Sequence, residues 1–193
     1  INLSNKAFSV SLWIKTTSIS SDSYFLSQGD SSSSNAHLHI GIRYNSGNIK
    51  YALAFWGNDM LTSTTYASDI NQWVHLVFIV EANNNRKIYR NGSLIQSDSN
   101  SSVFNSTGSF KVGARYESYF GNFDYTGYLD DLRVYDKVLT TTEINTLYNV
   151  NQTPYTLTFT ENVECDILIV GGGGSGGIYG GGGGGGDMIY ETG

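Results

Sequence analysis

Short segments in which apolar and polar residues alternate recur along the first 150 residues of the chain. The clearest ones begin at Phe8, Leu38 and Tyr51, and in each of them every second residue is apolar. A period of two is typical of β-strands that bury one face. The run WVHLVFIV, from Trp73 to Val80, is apolar on both faces and predicts a central strand between two layers. We therefore expect an all-β domain.

Turn and capping signals extend this pattern. Asn91-Gly92 predicts a tight hairpin because both residues tolerate positive φ. The segments SFKVGARY and GYLDDLRVY supply further predicted strands, and this turn-rich spacing is typical of a sandwich or jelly roll. One helix is expected near the end of the region, because TTTE at 140–143 is a capping box. An apolar stripe for that helix follows at Ile144, Leu147 and Tyr148.

Charge and cysteine content narrow the classes of partner. The 193-residue chain has a formal net charge of −6, and its eleven Lys and Arg are scattered, which argues against nucleic acid. Apolar runs stay well short of the ~20 residues that a membrane span needs, so no membrane insertion is expected. Cys165 stands alone, so neither an intrachain disulfide nor a Cys-based zinc site is expected. Because the chain opens without Met, we interpret it as a piece of a longer protein.

The composition changes at about residue 150, just before the single proline, Pro154. We expect one domain over 1–150 and a glycine-rich β/polyglycine segment over 151–193. The stretch CDILIVGGGGSGGIY (165–179) contains the G-x-G-x-x-G spacing of a dinucleotide-binding turn at Gly171, Gly173 and Gly176. Such a turn needs a helix that begins at the glycines, and more glycines follow instead. We therefore expect no nucleotide cofactor.

The glycine tract has two other interpretations. It can form extended, closely packed polyglycine helices, or it can be a flexible linker. The apolar islands Ile178-Tyr179 and Met188–Tyr190 favour an ordered segment, because a linker does not need them. In composition the tract resembles glycine-rich segments of viral fibre and capsid-associated proteins.

Three segments of the first 150 residues carry a more specific resemblance. FSVSLWIKT, WVHLVFIV followed by KIYRNGSLI, and GYLDDLRVYDKVLTTTEINTLY together resemble the laminin-G-like, concanavalin A-like lectin module. The resemblance implies a two-sheet jelly-roll sandwich with a concave face, a rim of loops and one short C-terminal helix. Such modules usually bind glycans or proteins, and many hold a structural calcium ion at the rim.

Some concanavalin A-like proteins hydrolyse glycosides, which requires two carboxyl groups that face one sugar bond. This chain lacks the paired-carboxylate strand of those enzymes. Asp130 and Asp131 are adjacent, so a regular strand would point them to opposite faces. Its histidines have no Cys or G-x-S-x-G partner for a nucleophilic triad. We expect no enzymatic activity.

Candidate contact residues fall into two strand positions and one loop. His37, His39 and Arg43 share a strand face, which is interpreted either as a polar binding surface or, preferably, as an ordinary solvated sheet face. Trp56 lies next to a turn, where an exposed indole offers a stacking platform for sugar rings. The aromatic loop RYESYFGNF carries Arg115, Tyr116 and Tyr119. Loops on a rigid sandwich commonly carry recognition, although edge packing is the alternative for each ring.

The resemblance also implies a candidate metal ligand. Asp130 matches the carboxylate of the family's G-x-h-D motif, which often helps to hold Ca²⁺. Asp22 and Asp30 could complete a shell of oxygen ligands, while the alternative is that Asp130 caps local backbone groups.

These features together predict a non-enzymatic module that attaches a larger extracellular or virion surface protein to glycans. A role as a structural building block of a capsid or fibre, in contact with other subunits of an assembly, is the alternative.

Overall fold

The computed structural model describes residues 1–29, 33–99, 102–114, 123–150, 167–170 and 188–191. The chain divides into two compact units, Ile1–Thr153 and Pro154–Gly193. The strands of the first unit are β1 (Phe8–Thr16), β2 (Ser23–Gln28), β3 (Leu38–Asn45), β4 (Asn48–Ala54), β5 (Asp59–Leu61), β6 (Val74–Val80), β7 (Arg86–Arg90), β8 (Ser93–Asp98), β9 (Phe110–Val112) and β10 (Gly127–Tyr135). A 3-10 turn covers Ala67–Asp69, and the helix α1 covers Thr141–Val150.

The ten strands form two antiparallel sheets of five. Sheet I has the order β10-β1-β6-β7-β8, and sheet II has the order β5-β4-β3-β2-β9. Five pairs of strands that are consecutive in sequence are neighbours in a sheet: β2–β3, β3–β4, β4–β5, β6–β7 and β7–β8. In contrast, β1 pairs with β6 and β10, and β2 pairs with β9, all far away in sequence. The predicted all-β, two-sheet jelly-roll sandwich with one short helix is confirmed.

The inward faces of the two sheets make the core. Phe8, Val10, Leu12 and Ile14 of β1 are at most 1% exposed, as their alternation predicts. They share one apolar cluster with Leu38, Ile40 and Ile42 of β3, Tyr51 and Leu53 of β4, and Leu76 and Phe78 of β6. Burial of a large apolar side chain contributes roughly 1.5–3 kcal/mol, so this cluster supplies most of the driving force for folding.

The helix α1 covers part of the outer face of sheet I. Its capping box forms as predicted, since the Thr140 N–H donates to Glu143 Oε2 (2.8 Å) and the Glu143 N–H donates to Thr140 Oγ1 (3.3 Å). Ile144 is fully buried in a second apolar cluster with Val77 and Ile79 of β6. Because the helix covers this side, β6 is buried on both faces, as a central strand should be.

Trp73 departs from the prediction. The sequence places it in the buried central strand, but β6 begins at Val74 and the Trp73 side chain is 45% exposed. The hairpin prediction at Asn91-Gly92 is confirmed, with φ of 49° and 78° between β7 and β8.

In the second unit, β11 (Ile167–Val170) pairs antiparallel with β12 (Met188–Glu191). The predicted strand at DILIV and the apolar island Met188–Tyr190 fall in these two strands. The glycines of the G-x-G-x-x-G spacing (171, 173 and 176) and Ile178-Tyr179 lie outside the described residues.

Candidate functional site

Small residues occupy the centre of the outer face of sheet II. Across β3 and β4, the residues that point outward at its centre are Gly41, Ala52 and Ala54. A Cβ atom on Gly41 would lie 2.2 Å from the carbonyl oxygen of Ser23 and 2.7 Å from Cα of Tyr24. Only glycine therefore allows β2 to approach β3 so closely at this point.

Four aromatic side chains pack together on this face. The His39 ring lies 4.2 Å from His37, 4.9 Å from Tyr24 and 5.8 Å from Trp56, measured between ring centroids. Tyr24 and His39 are fully buried, while Trp56 is half-buried at the end of the row. We call these four residues the aromatic cluster.

The aromatic cluster corrects one interpretation of the sequence. The face of His37, His39 and Arg43 was expected to be an ordinary solvated sheet face, but the two imidazoles are 2% and 0% exposed. The strand pattern identifies which residues share a face, and it does not reveal the Tyr24 and Trp56 rings that pack against His39. His39 therefore packs edge-to-face with Trp56, and His37 packs on His39.

The turn between β4 and β5, residues 55–58, presents Trp56. The Phe55 N–H donates to the carbonyl oxygen of Asn58 (3.0 Å), and the Trp56 carbonyl accepts from the Asn35 N–H (3.1 Å). Trp56 itself adopts a positive φ of 44°, which costs a non-glycine residue of order 1 kcal/mol and persists only where the surroundings enforce it. We call this segment the Trp56 turn.

Arg86 of β7, in sheet I, stabilises the Trp56 turn through hydrogen bonds across the core. Its side chain is 2% exposed and donates to the carbonyl oxygens of Leu53 (3.1 Å) and Asn58 (2.8 Å). The guanidinium also packs 5.0 Å from the centre of the Phe55 ring. Asp98 provides the counter-charge at 2.5 Å.

Arg43 lies at the other end of the aromatic cluster. Its guanidinium bridges two carboxylates, with Nη1 at 2.6 Å from Asp22 and Nη2 at 2.5 Å from Asp59, and it donates to the Tyr24 hydroxyl (2.6 Å). Burial lowers the pKa of Arg43, but Tyr24 and the two carboxylates outweigh this and raise it above its ordinary value. The guanidinium therefore stays charged and links Asp22 to Asp59 across this face.

A cleft of about 600 Å³ opens beside Arg43. Its walls come mainly from the β3–β4 hairpin and from β5 with the segment after it. They combine charged, amide and hydroxyl groups with the apolar surface of side chains such as Leu61. The lining residues are Asp22, Arg43, Tyr44, Asn45, Asn48, Lys50, Leu61, Ser63 and Thr65. The sequence shows no local signal for this cleft, because its lining residues come from separate segments between residues 22 and 65.

The loop residues predicted to bind, Arg115, Tyr116 and Tyr119, lie outside the described residues. The described ends of that loop both contact sheet II: the Ala114 carbonyl accepts from Ser27 Oγ (2.9 Å), and the Phe123 ring packs 5.8 Å from Tyr24.

Asp130 lies on β10, the edge strand of sheet I. Its Oδ1 accepts from the Asp131 N–H (2.7 Å), and Asp131 has a positive φ of 47° in a bulge opposite β1. Asp22, suggested as a further calcium ligand, instead pairs with Arg43 on sheet II, and Asp30 lies outside the described residues. Within the described ranges, no group of three or more His, Cys, Asp or Glu side chains is gathered. The calcium site stays a prediction.

Comparison with known proteins agrees with this architecture. The Laminin_G_3 family model, described as the concanavalin A-like lectin/glucanases superfamily, matches residues 1–145. The chain belongs to this superfamily. No curated protein sequence matches the chain.

Solved structures share the concanavalin A-like fold at low sequence identity. Domain 4 of AbnA, an extracellular GH43 arabinanase of Geobacillus stearothermophilus solved with arabinotriose, is 23% identical with a TM-score of 0.58. The match covers 75% of this chain and 67% of that one. A heptameric SAP-like pentraxin of Limulus polyphemus is 19% identical with a TM-score of 0.58, over 74% of this chain and 70% of the pentraxin. A Bacteroides ovatus protein proposed to bind carbohydrate is 15% identical with a TM-score of 0.58, over 74% of this chain and 40% of its own.

In the part of the chain that the structure describes, no helix is long and apolar enough to span a membrane.

Proposed function

We propose that this concanavalin A-like domain is a non-enzymatic glycan-binding module that binds through the outer face of sheet II. The observation that carries the proposal is the partly exposed Trp56 ring on a hydrogen-bonded turn, at one end of a face whose other end opens into the cleft beside Arg43.

The Trp56 ring and the cleft beside Arg43 match two different parts of a sugar. The apolar C–H face of a sugar ring stacks on an indole, and the hydroxyl groups need donors and acceptors fixed in space. Asn48, Lys50 and Ser63 supply such groups in the cleft. The fold shared with the arabinotriose-bound domain of AbnA, and with the Bacteroides ovatus protein, supports a sugar as the ligand.

The carboxylates on this face do not suit hydrolysis. Asp22 and Asp59 are both ion-paired with Arg43, whereas a glycosidase needs one protonated carboxyl group as general acid. We therefore propose binding without cleavage, with Asp22 and Asp59 acting as anchors for Arg43.

The proposed setting is an extracellular or virion surface, with this unit as the attachment part of a larger protein. Arg115, Tyr116 and Tyr119 are proposed as further contacts because the ends of their loop contact sheet II. Ca²⁺ at Asp130 is proposed as structural. A building block that contacts neighbouring subunits is the alternative role.

A glycan array followed by calorimetry tests the proposal. We expect Trp56→Ala and the cleft variant Asn48→Ala to weaken binding at least about tenfold, which corresponds to ~1.4 kcal/mol. Leu94→Ala, at a 50% exposed position on β8 of sheet I, is the matched control and should bind normally.

Two results would contradict the proposed function. Absence of any binder at millimolar concentration would favour the structural role, as would binding that ignores both sheet II substitutions. Release of reducing ends from a bound polysaccharide would show that the module is an enzyme.

A further inference from the structure

Two aromatic side chains on sheet I stand out by their exposure. Trp73 is 45% exposed and Tyr128 is 60% exposed, and their ring centroids lie 6.3 Å apart at an angle of 49°. This separation is within the range of contacting aromatic rings, so the two form one continuous aromatic surface. We call it the Trp73–Tyr128 platform.

Backbone pairing places both residues of the platform beside β1. Tyr128 belongs to β10 and pairs with Lys15 of β1, while Trp73 directly precedes Val74, which pairs with Ile14 of β1. Just before Trp73, the Asn71 N–H donates to the carbonyl oxygen of Thr16 at 2.8 Å. A ligand would therefore meet rings that are already placed, at a small cost in conformational entropy.

The size of the platform argues against a protein partner. Aromatic side chains present 150–250 Å² each, so the exposed parts of Trp73 and Tyr128 offer roughly 200 Å². A stable protein interface needs about 800 Å² from each partner. The other exposed large apolar residues of the described ranges lie on other segments, such as Leu94 on β8 and Val112 on β9. An area of this size instead matches the face of one or two sugar rings.

Polar groups border the platform where sugar hydroxyls would lie. Lys15 is half-buried directly opposite Tyr128, and its ammonium group can donate three hydrogen bonds. Asp130 lies two residues after Tyr128, on the same face of β10, and is exposed. A carboxylate has about four acceptor sites, so the single bond from the Asp131 N–H leaves Asp130 capacity for further donors.

We infer that the Trp73–Tyr128 platform is a second sugar-binding site, which stacks on the C–H face of a pyranose ring while Lys15 and Asp130 bind its hydroxyl groups. The inference takes its ligand class from the proposed function, but its residues belong to sheet I, whereas the first site belongs to sheet II.

Tryptophan fluorescence tests the site directly. The chain has three tryptophans, of which Trp13 is 6% exposed and Trp56 belongs to the first site. In a Trp56→Phe variant, the change in emission on adding a ligand reports mainly on Trp73. The probes are soluble β-glucan, galactan, mannan and xylan, and we expect at least one to shift or quench the emission. Tyr128→Ala should raise the half-saturating concentration about tenfold.

Binding to the same polysaccharides in immobilised form separates this inference from the proposed function. If Trp73→Ala and Tyr128→Ala weaken retention and Trp56→Ala does not, the second site stands and the first fails. If only Trp56→Ala weakens retention, the second site is wrong. Leu94→Ala is the control for an exposed apolar side chain, and circular dichroism confirms the fold of each variant.

Two further outcomes would overturn the second site. One is a Trp73 emission that no polysaccharide of the panel changes. The other is a Trp73→Ala variant that alters the sedimentation coefficient of the protein but leaves its retention unchanged, since the platform would then be a contact between copies of the chain.

Discussion

Arg86 of sheet I donates a 2.8 Å hydrogen bond to the carbonyl oxygen of Asn58, in the turn between β4 and β5 of sheet II that presents Trp56. The guanidinium thus crosses the core to satisfy backbone groups of the opposite sheet. A buried cation of this kind links the stability of the sandwich to the geometry of the proposed sugar contact.

The first prediction concerns this link. Arg86→Ala leaves Asp98 without its counter-charge and the carbonyl oxygens of Leu53 and Asn58 without their donor. We expect the free energy of unfolding to fall by about 3 kcal/mol, measured by urea denaturation. Glycan binding at Trp56 should weaken in the same variant under conditions where it remains folded.

Arg133→Ala is the matched control, because Arg133 pairs with Asp131 at the surface with 45% of its side chain exposed. It should cost less than about 1 kcal/mol. Equal losses for the two arginines would show that burial of Arg86 has no energetic consequence.

The second prediction concerns Gly41, at the centre of the outer face of sheet II. Gly41→Ala places a Cβ against backbone atoms of β2, which cannot rotate away as a side chain would. We expect a loss of at least about 2 kcal/mol in unfolding free energy and weaker glycan binding, because Tyr24 and His39 must move. Gly47→Ala, in the β3–β4 turn, meets no atom within 4 Å and should cost about 1 kcal/mol through its φ of 89° alone. If Gly47→Ala is the more damaging change, the close approach at Gly41 is not what limits this position.

Local patterns explain why the fold could be predicted from the sequence. The alternation from Phe8 to Ile14, the Asn91-Gly92 turn and the Thr140–Glu143 capping box each act within a few residues, and each forms as expected. The position of Trp73 could not be read in this way. Its run is apolar throughout, so the pattern does not mark the residue at which β6 begins.

The candidate site depends on contacts between distant segments, and it was predicted only in part. Trp56 and Arg43 were identified by residue type, and the structure places Arg43 on β3 of sheet II and Trp56 in the turn between β4 and β5 of the same sheet. Their partners were missed: Tyr24, which packs on His39, and Arg86, which holds the Trp56 turn from the other sheet. An isolated arginine after an asparagine-rich turn gives no sign in the sequence that it is buried.

The third prediction concerns a buried phenol. The Tyr51 hydroxyl donates to Asp69 Oδ2 (2.6 Å), and Asp69 is also ion-paired with Arg90. Burial first, and then Asp69, raise the pKa of Tyr51 above its ordinary value. Unfolded Tyr51 ionises near pH 10 while the folded form stays neutral, so this contribution to stability is present below pH 10 and is lost as the pH rises.

Alkaline unfolding measures this contribution. The pH range to measure is about 9.5 to 11.5, around the pKa of an unfolded tyrosine. Over this range, the urea midpoint of unfolding of the native chain should fall more steeply than that of Tyr51→Phe. Asp69→Asn should have an intermediate slope, because it removes the anion but keeps an acceptor. Identical slopes for all three proteins would contradict the role of Tyr51.

The fourth prediction concerns His75 on the outer face of sheet I. His75 is 1% exposed, and its Nε2 forms a 2.9 Å hydrogen bond with Ser11 Oγ. Its ring centroid lies 5.2 Å from that of Trp13 and 6.0 Å from that of Tyr148 of α1. Nδ1 is buried without a hydrogen-bond partner among the described residues. Burial lowers the pKa of His75 to about 4, while Asp131 raises it and Arg133 lowers it by smaller amounts.

Because the folded protein keeps His75 neutral, acid should weaken the fold. Unfolded His75 takes up a proton near pH 6.5, but the folded form does so only near pH 4, so its contribution is complete above pH 6.5 and is lost between these values. The loss is at most about 3 kcal/mol. Over this range the melting temperature of the native chain should fall more than that of His75→Gln, which carries no titrating ring. Since Trp13 and Tyr148 contact the imidazole, the near-ultraviolet circular dichroism of the folded protein should change near pH 4, where folded His75 takes up its proton. A variant whose melting temperature follows that of the native chain at every pH would show that His75 does not control this acid sensitivity.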